Sequence, residues 1–250
     1  MKKLFVILCT VLLAACSKDN SLSTNEAGST GKNGSLTRFA IKDNFMYAID
    51  NNMVRIFDIS NNDNPVQVSS TEVAYGLETI FIYGDYIYLG ATDGVYVLNI
   101  ANPNHPATLP KIEHHISCDP VVVQNNYAYS TQRVTATGCG QVWQTSALAV
   151  YDVTQPNNAT LVKEIGMEEP YGLAVEGNWL YVCDPGQGGV VVYDITNPAN
   201  PVQKAVTNVN EPRDIITIYP YMIIATDTKF ELYNYADPLN MYLISTLVLS

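Results

Sequence analysis

From residue 37 onward, the apolar and polar positions of the chain alternate in short runs that stop at turn residues, and no window keeps a helical period over several turns. Five lines carry the pattern most clearly: VRIFDISNNDNP, VYVLNIANPNHP, LAVYDVTQPNNA, VVVYDITNPANP and FELYNYADPLNM. In each, an alternating apolar run ends at Asp or Asn. These anchors are Asp58, Asn99, Asp152, Asp194 and Asn234, spaced 41, 53, 42 and 40 residues apart. Proline follows four residues after the anchor in four of the five lines. Asp or Asn accepts from nearby backbone N–H groups at a turn and proline fixes the exit, so the phrase reads as strand, turn and next strand.

A second phrase keeps the same rhythm upstream: DNFMY, GDYIY, NNYAY, GNWLY and PYMII. Its anchors Tyr47, Tyr88, Tyr129, Tyr181 and Ile223 lie 41, 41, 52 and 42 residues apart. In four of the five the leading pair is drawn from Gly, Asn and Asp, residues that tolerate the positive φ of a two-residue hairpin. Each unit therefore predicts four short strands in a meander. Strand-rich repeats of about 40 residues predict the blades of a β-propeller. The fold expected is all-β, with about five four-stranded blades over residues 37–250. Each blade is complete within its own repeat, so closure would lack an exchanged strand; a four-sheet solenoid or an open sandwich is the rival.

The strand followed by Asp-Ile-Ser/Thr-Asn-Pro-x-x-Pro resembles the LVIVD repeat, clear in the second and fourth lines and loose in the fifth, where Tyr235 stands in place of Ile and Met241 in place of the second Pro. The resemblance implies an extracytoplasmic propeller, often a surface lipoprotein, and no particular reaction.

The N-terminus points to the same address. MKKLFVILCTVLLAAC has a basic start, an apolar run too short to span a bilayer, and small residues before Cys16. Leu13-Ala14-Ala15-Cys16 resembles a bacterial lipobox, which implies a signal peptide over 1–15, a lipidated Cys16 and a membrane attachment through that lipid alone. Residues 16–36 are rich in Ser, Asn, Gly and Thr and read as a tether. Ser17-Lys18-Asp19 resembles a short surface-export tag, favouring the surface face of an outer membrane over the periplasmic one.

Charge narrows the partners. The chain has 13 Lys and Arg against 24 Asp and Glu, a formal charge of −11. Loss of Lys2 and Lys3 with the signal takes this to −13. Such a chain without a basic cluster is expected to avoid nucleic acid.

Departures from the period mark candidate chemistry. The long spacing of 53 comes from an insertion between Tyr129 and Ala147, STQRVTATGCGQVWQTS, between second and third strands. Long loops of this kind are more often functional than accidental. The entries to the first strands lie on the same face of a propeller. They bring Thr37-Arg38, Glu78-Thr79, Asp119-Pro120, Tyr171-Gly172 and Arg213-Asp214 to the channel mouth. Candidate ligand contacts are Arg38, Glu78, Asp119, Arg133, Trp143, Tyr171, Arg213 and Asp214, a mixed-sign ring suited to a sugar or peptide; pairing of these charges with one another and with backbone is the alternative. Cys118 and Cys139 reach the same rim and form a candidate disulfide in an oxidising compartment.

His114 and His115 fall in a predicted strand where neighbours point to opposite faces, so no metal site is expected. No Gly-x-Ser-x-Gly or phosphate loop is present, and no cofactor is expected. A binding or scaffold module for a glycan or an envelope protein follows. The alternatives are a carboxylate-dependent glycoside hydrolase using Glu78, Asp119 or Asp214, and a purely structural envelope component.

Overall fold

The computed structural model describes residues 34–113, 120–134 and 145–249. They form five antiparallel sheets, each a meander of strands consecutive in the chain. Blade I contains β1 (Phe39–Lys42), β2 (Phe45–Asp50), β3 (Met53–Asp58) and β4 (Val66–Glu72). Blade II contains β5 (Leu77–Tyr83), β6 (Tyr86–Ala91) and β7 (Gly94–Asn99), then a fourth strand broken into β8 (Ala107–Thr108) and β9 (Ile112–Glu113), both paired with β7. Blade III contains β10 (Val121–Gln124), β11 (Tyr127–Gln132), β12 (Ala147–Asp152) and β13 (Thr160–Gly166). Blade IV contains β14 (Leu173–Glu176), β15 (Trp179–Asp184), β16 (Gly189–Asp194) and β17 (Val202–Asn208). Blade V contains β18 (Pro212–Ile218), β19 (Tyr221–Thr226), β20 (Lys229–Asn234) and β21 (Tyr242–Val248). No sheet borrows a strand from another repeat.

The anchor acts as punctuation in all five repeats. Asp58, Asn99, Asp152, Asp194 and Asn234 each accept, through the side-chain oxygen, the N–H two residues on, at 2.8–2.9 Å. The residue after each anchor then donates its N–H to the hairpin turn between the first two strands of the same blade, tying exit to hairpin. Hydrogen bonds to Ser60, Thr154 and Thr196 hold the carboxyls of Asp58, Asp152 and Asp194 below the usual aspartate value. A lowered folded pKa contributes stability that is present above the unfolded value near 3.8 and is lost as pH falls through the folded pKa. Replacing the three with Asn, as the chain itself does at Asn99 and Asn234, is expected to lower the urea midpoint slightly at pH 7 and to flatten its fall below pH ~4. A midpoint-versus-pH curve parallel to the parent would refute that reading.

Cross-strand register shows what the repeating tyrosine does. Ala40, Tyr47 and Ile56 stand opposite one another, as do Phe81, Tyr88 and Val97, Val122, Tyr129 and Val150, and Ala174, Tyr181 and Val192. All twelve are buried against the following blade. The equivalent row of blade V is Ile216, Ile223 and Leu232, apolar but only half-buried. Blade I mirrors this on its opposite face, where Phe39 and Ile41 are exposed and Met46, Ala48 and Phe57 half-buried. The innermost strands pack in sequence, β1 with β5, β5 with β10, β10 with β14 and β14 with β18, with no comparable packing of β18 on β1 among the described residues. Among the described residues the five blades therefore pack in series, with the outer faces of blades I and V left without a neighbouring blade.

A latch at the hub connects the ends instead. The Ser35 hydroxyl donates to Asp214 Oδ1 of blade V at 3.1 Å and accepts the Leu173 N–H of blade IV at 2.8 Å. Thr37 and Ile80 meanwhile join blade I to blade II through their backbones.

Candidate functional site

First-strand entries and the loops joining second to third strands share one rim, and the side chains there divide into those already engaged and those available. Arg38 donates to the Leu77 carbonyl at 3.2 Å and so helps fasten blade I to blade II. Glu78 is engaged as well. Asp214 accepts from Ser35 and from the Leu36 N–H, and burial pushes its carboxyl above the usual aspartate value despite those bonds. Asp184, fully buried, is spent on the loop joining the second and third strands of blade IV. It accepts the N–H groups of Glu168, Glu169 and Gln187 and caps a short 3-10 turn at Pro185–Gln187.

The remaining candidates converge. Tyr171 lies between two guanidiniums, with Cζ of Arg133 at 4.2 Å and Cζ of Arg213 at 4.1 Å from its ring centroid. Three elements hold the ring in place. The Tyr171 N–H donates to Cys183 O in blade IV, Thr131 Oγ1 of blade III donates to Tyr171 O at 2.6 Å, and the phenol donates to Glu169 at 2.9 Å. Burial and the bond to Glu169 raise the phenol pKa, while the two arginines oppose that. The phenol therefore stays protonated and a donor at neutral pH.

The two arginines differ. Arg213 forms a bidentate pair with Asp227, at 2.7 and 2.8 Å, and a further bond to Glu211 at 2.9 Å. That fork geometry is the strong form of a guanidinium–carboxylate contact, and it raises the arginine pKa further. Its Nη1 is buried without an acceptor. Arg133, at the start of the long loop, makes no ion pair or hydrogen bond among the described residues and rests on the Tyr171 face. Arg133 is thus the guanidinium of the stack that no carboxylate engages among the described residues, while Asp227 and Glu211 engage Arg213 and Glu169 engages the phenol. An anionic group would meet the Arg133 guanidinium, held in place by the ring.

Cys118, Asp119, Cys139 and Trp143, with His114 and His115, lie outside the described residues, as does Cys16. Cys183 is buried in blade IV, and desolvation raises its thiol pKa well above the ordinary value. Among the described residues no three His, Cys, Asp or Glu side chains group as a metal site, and no helix is long and apolar enough to cross a membrane.

Sheet order, blade packing and repeat length define the protein as a five-bladed β-propeller of four-stranded blades. Three segments, 33–73, 78–110 and 171–209, match the LVIVD repeat, so the chain carries repeats of that type. No curated protein matches it in sequence. Among solved structures, a functionally unknown protein from Desulfotomaculum acetoxidans superposes with a TM-score of 0.65 at 10% identity, over 84% of this chain and 69% of that one. The periplasmic gluconolactonase of Pseudomonas aeruginosa gives 0.61 at 10% identity, over 83% and 68%. A chain of a nidogen/laminin complex gives 0.57 at 13%, over 82% and 76%. At these identities the likeness is one of fold.

Proposed function

We propose that the protein is a binding module, carried on the outer membrane by a lipid on Cys16 and facing the surface, that holds an acidic glycan at the Arg133–Tyr171–Arg213 stack. The observation carrying this is the Arg133 guanidinium, without an ion pair or hydrogen bond among the described residues, held against the Tyr171 ring. A uronic-acid carboxylate would pair with Arg133, which the Tyr171 ring holds in place. Arg213, already neutralised by Asp227 and Glu211, serves as the rigid second wall.

The pairing of Asp214 with Ser35 and Leu36, and of Arg38 with backbone, favours binding over carboxylate chemistry at this mouth. Net negative charge across the protein disfavours long-range capture of anions. Recognition would therefore depend on contact within the ~8 Å over which charge acts at physiological salt. On an array presenting acidic and neutral glycans beside acidic peptides, the protein is expected to be retained by uronic-acid glycans, and Arg133→Gln to release it. Retention on peptides alone would make an envelope protein the partner. Turnover of a glycan would favour the hydrolase, and silence on every surface a structural component.

A further inference from the structure

The fifth repeat departs from its siblings at two places, and both departures meet at the rim opposite the arginine stack. The residue after the anchor is Ile59, Ile100, Val153 and Ile195 in the first four repeats and Tyr235 in the fifth. Tyr235 keeps the backbone bond of its equivalents, donating its N–H to Pro220 O at 2.9 Å, so the change lies in the side chain. The hairpin turn, built from Gly, Asn and Asp in four repeats, is Tyr219-Pro220 in the fifth.

These changes coincide with a cavity of about 340 Å³ between blades IV and V, lined by Glu176, Trp179, Tyr181, Tyr219, Tyr235 and Pro238 among others. That volume lies in the range of small-molecule sites. Its rings stand as walls rather than as one flat platform. Tyr181 and Tyr235 meet at 5.6 Å and 80°, and Tyr219 and Tyr235 at 5.8 Å and 86°.

The interface one blade earlier shows what has been opened. There the Tyr129 hydroxyl donates to Pro198 O at 3.1 Å, across from blade III to the exit turn of blade IV. Tyr181 and Pro238 are the equivalent residues one repeat on. The Tyr181 side chain is fully buried, yet its hydroxyl has no partner. A buried hydroxyl left unpaired is unfavourable, and Tyr181 is among the residues lining the cavity. The lining also holds the carboxylate of Glu176 and no Lys or Arg. Aromatic walls with one carboxylate attract organic cations by cation–π and charge together.

We propose that this cavity is an aromatic cage for a quaternary ammonium group bearing a nearby neutral oxygen, the chemistry of choline and its esters. The ammonium sits among Trp179, Tyr219 and Tyr235 with Glu176 as counter-charge, and Tyr181 donates its hydroxyl to the ligand oxygen. A primary ammonium fits less well, because it brings three N–H donors that each need an acceptor.

The test is calorimetric titration of the full protein with choline chloride beside its neutral isostere, 3,3-dimethyl-1-butanol. Saturable 1:1 binding of choline is expected, with the isostere weaker by about tenfold or more. Glu176→Gln, at a half-buried position, is expected to weaken choline by about tenfold with thermal stability kept. Tyr235→Ile, which restores the residue of the other repeats, is expected to abolish binding. Equal binding of the two probes, unchanged affinity in Glu176→Gln, or no choline binding by a folded parent would overturn the proposal. Displacement of choline by a neutral pyranose at equal concentration would also overturn it, making the cavity a sugar site.

Discussion

Tyr129→Ala is expected to destabilise the protein by about 4 kcal/mol, while Ile223→Ala at the same place in the fifth repeat costs about 1 kcal/mol. Tyr129 is fully buried in the core that joins blades III and IV. Its truncation empties a space that the strands on either side cannot fill, and it removes the hydroxyl bond to Pro198 O. Large aromatic truncations in cores fall in that range because the cavity cost adds to the lost transfer energy. Ile223 occupies the same register, but no following blade packs on it among the described residues, and its side chain is only half-buried. Urea unfolding of both variants measures the difference. Equal costs would mean that the face of blade V is as covered as the faces within the stack.

Gly189→Ala is the second change of large effect, expected to cost about 3 kcal/mol, the upper end for overpacking a site that cannot yield. Gly189 opens β16 with φ +153° and pairs with Asn208 on β17. A Cβ there would collide with the Thr207 carbonyl oxygen and stand 2.6 Å from the Val209 N–H nitrogen. Both neighbours are backbone, so no rotamer relieves the contact. The strand pair would have to separate where it adjoins the Asp184-capped loop, and that loop supports Glu168 and Glu169 beneath the Tyr171 phenol. Thermal unfolding measures the cost, and a loss below about 1 kcal/mol would show that β17 can shift aside.

Much of the architecture is legible in the sequence because a repeat states its grammar five times. Asp58, Asn99, Asp152, Asp194 and Asn234 read as turn anchors, and each binds the backbone two residues on. The tyrosines that keep the period are legible as repeat positions, and all four are buried between blades. Less legible was the uncovered end of the stack. Its sequence signal is a single one, the change from Tyr to Ile223 in the last repeat, which looks like ordinary drift until register shows which face it occupies.

The site was legible only in part. Arg133 lies in the insertion, Tyr171 and Arg213 lie at first-strand entries, and the shared rim follows from strand order. Their stacking could not be read, because it depends on how the guanidiniums choose partners. Arg213 finds Asp227, the first residue after β19, and Arg133 finds none among the described residues. Tyr235 shows the opposite case. It looks like a weakened repeat in sequence, and in space it meets Tyr219, the other irregular residue, at one cavity.

The most direct test of the binding account is calorimetric titration of the parent and of Arg133→Gln with a uronic-acid oligosaccharide and its carboxyl-reduced analogue, at low and physiological salt. A charge-assisted contact is worth about 1.5–3 kcal/mol. The acidic ligand should therefore bind the parent more than tenfold better than the reduced one, weaken as salt rises, and lose that preference in Arg133→Gln. Equal binding of the two ligands, or an unchanged preference in Arg133→Gln, would contradict the claim that the arginine stack is the binding site.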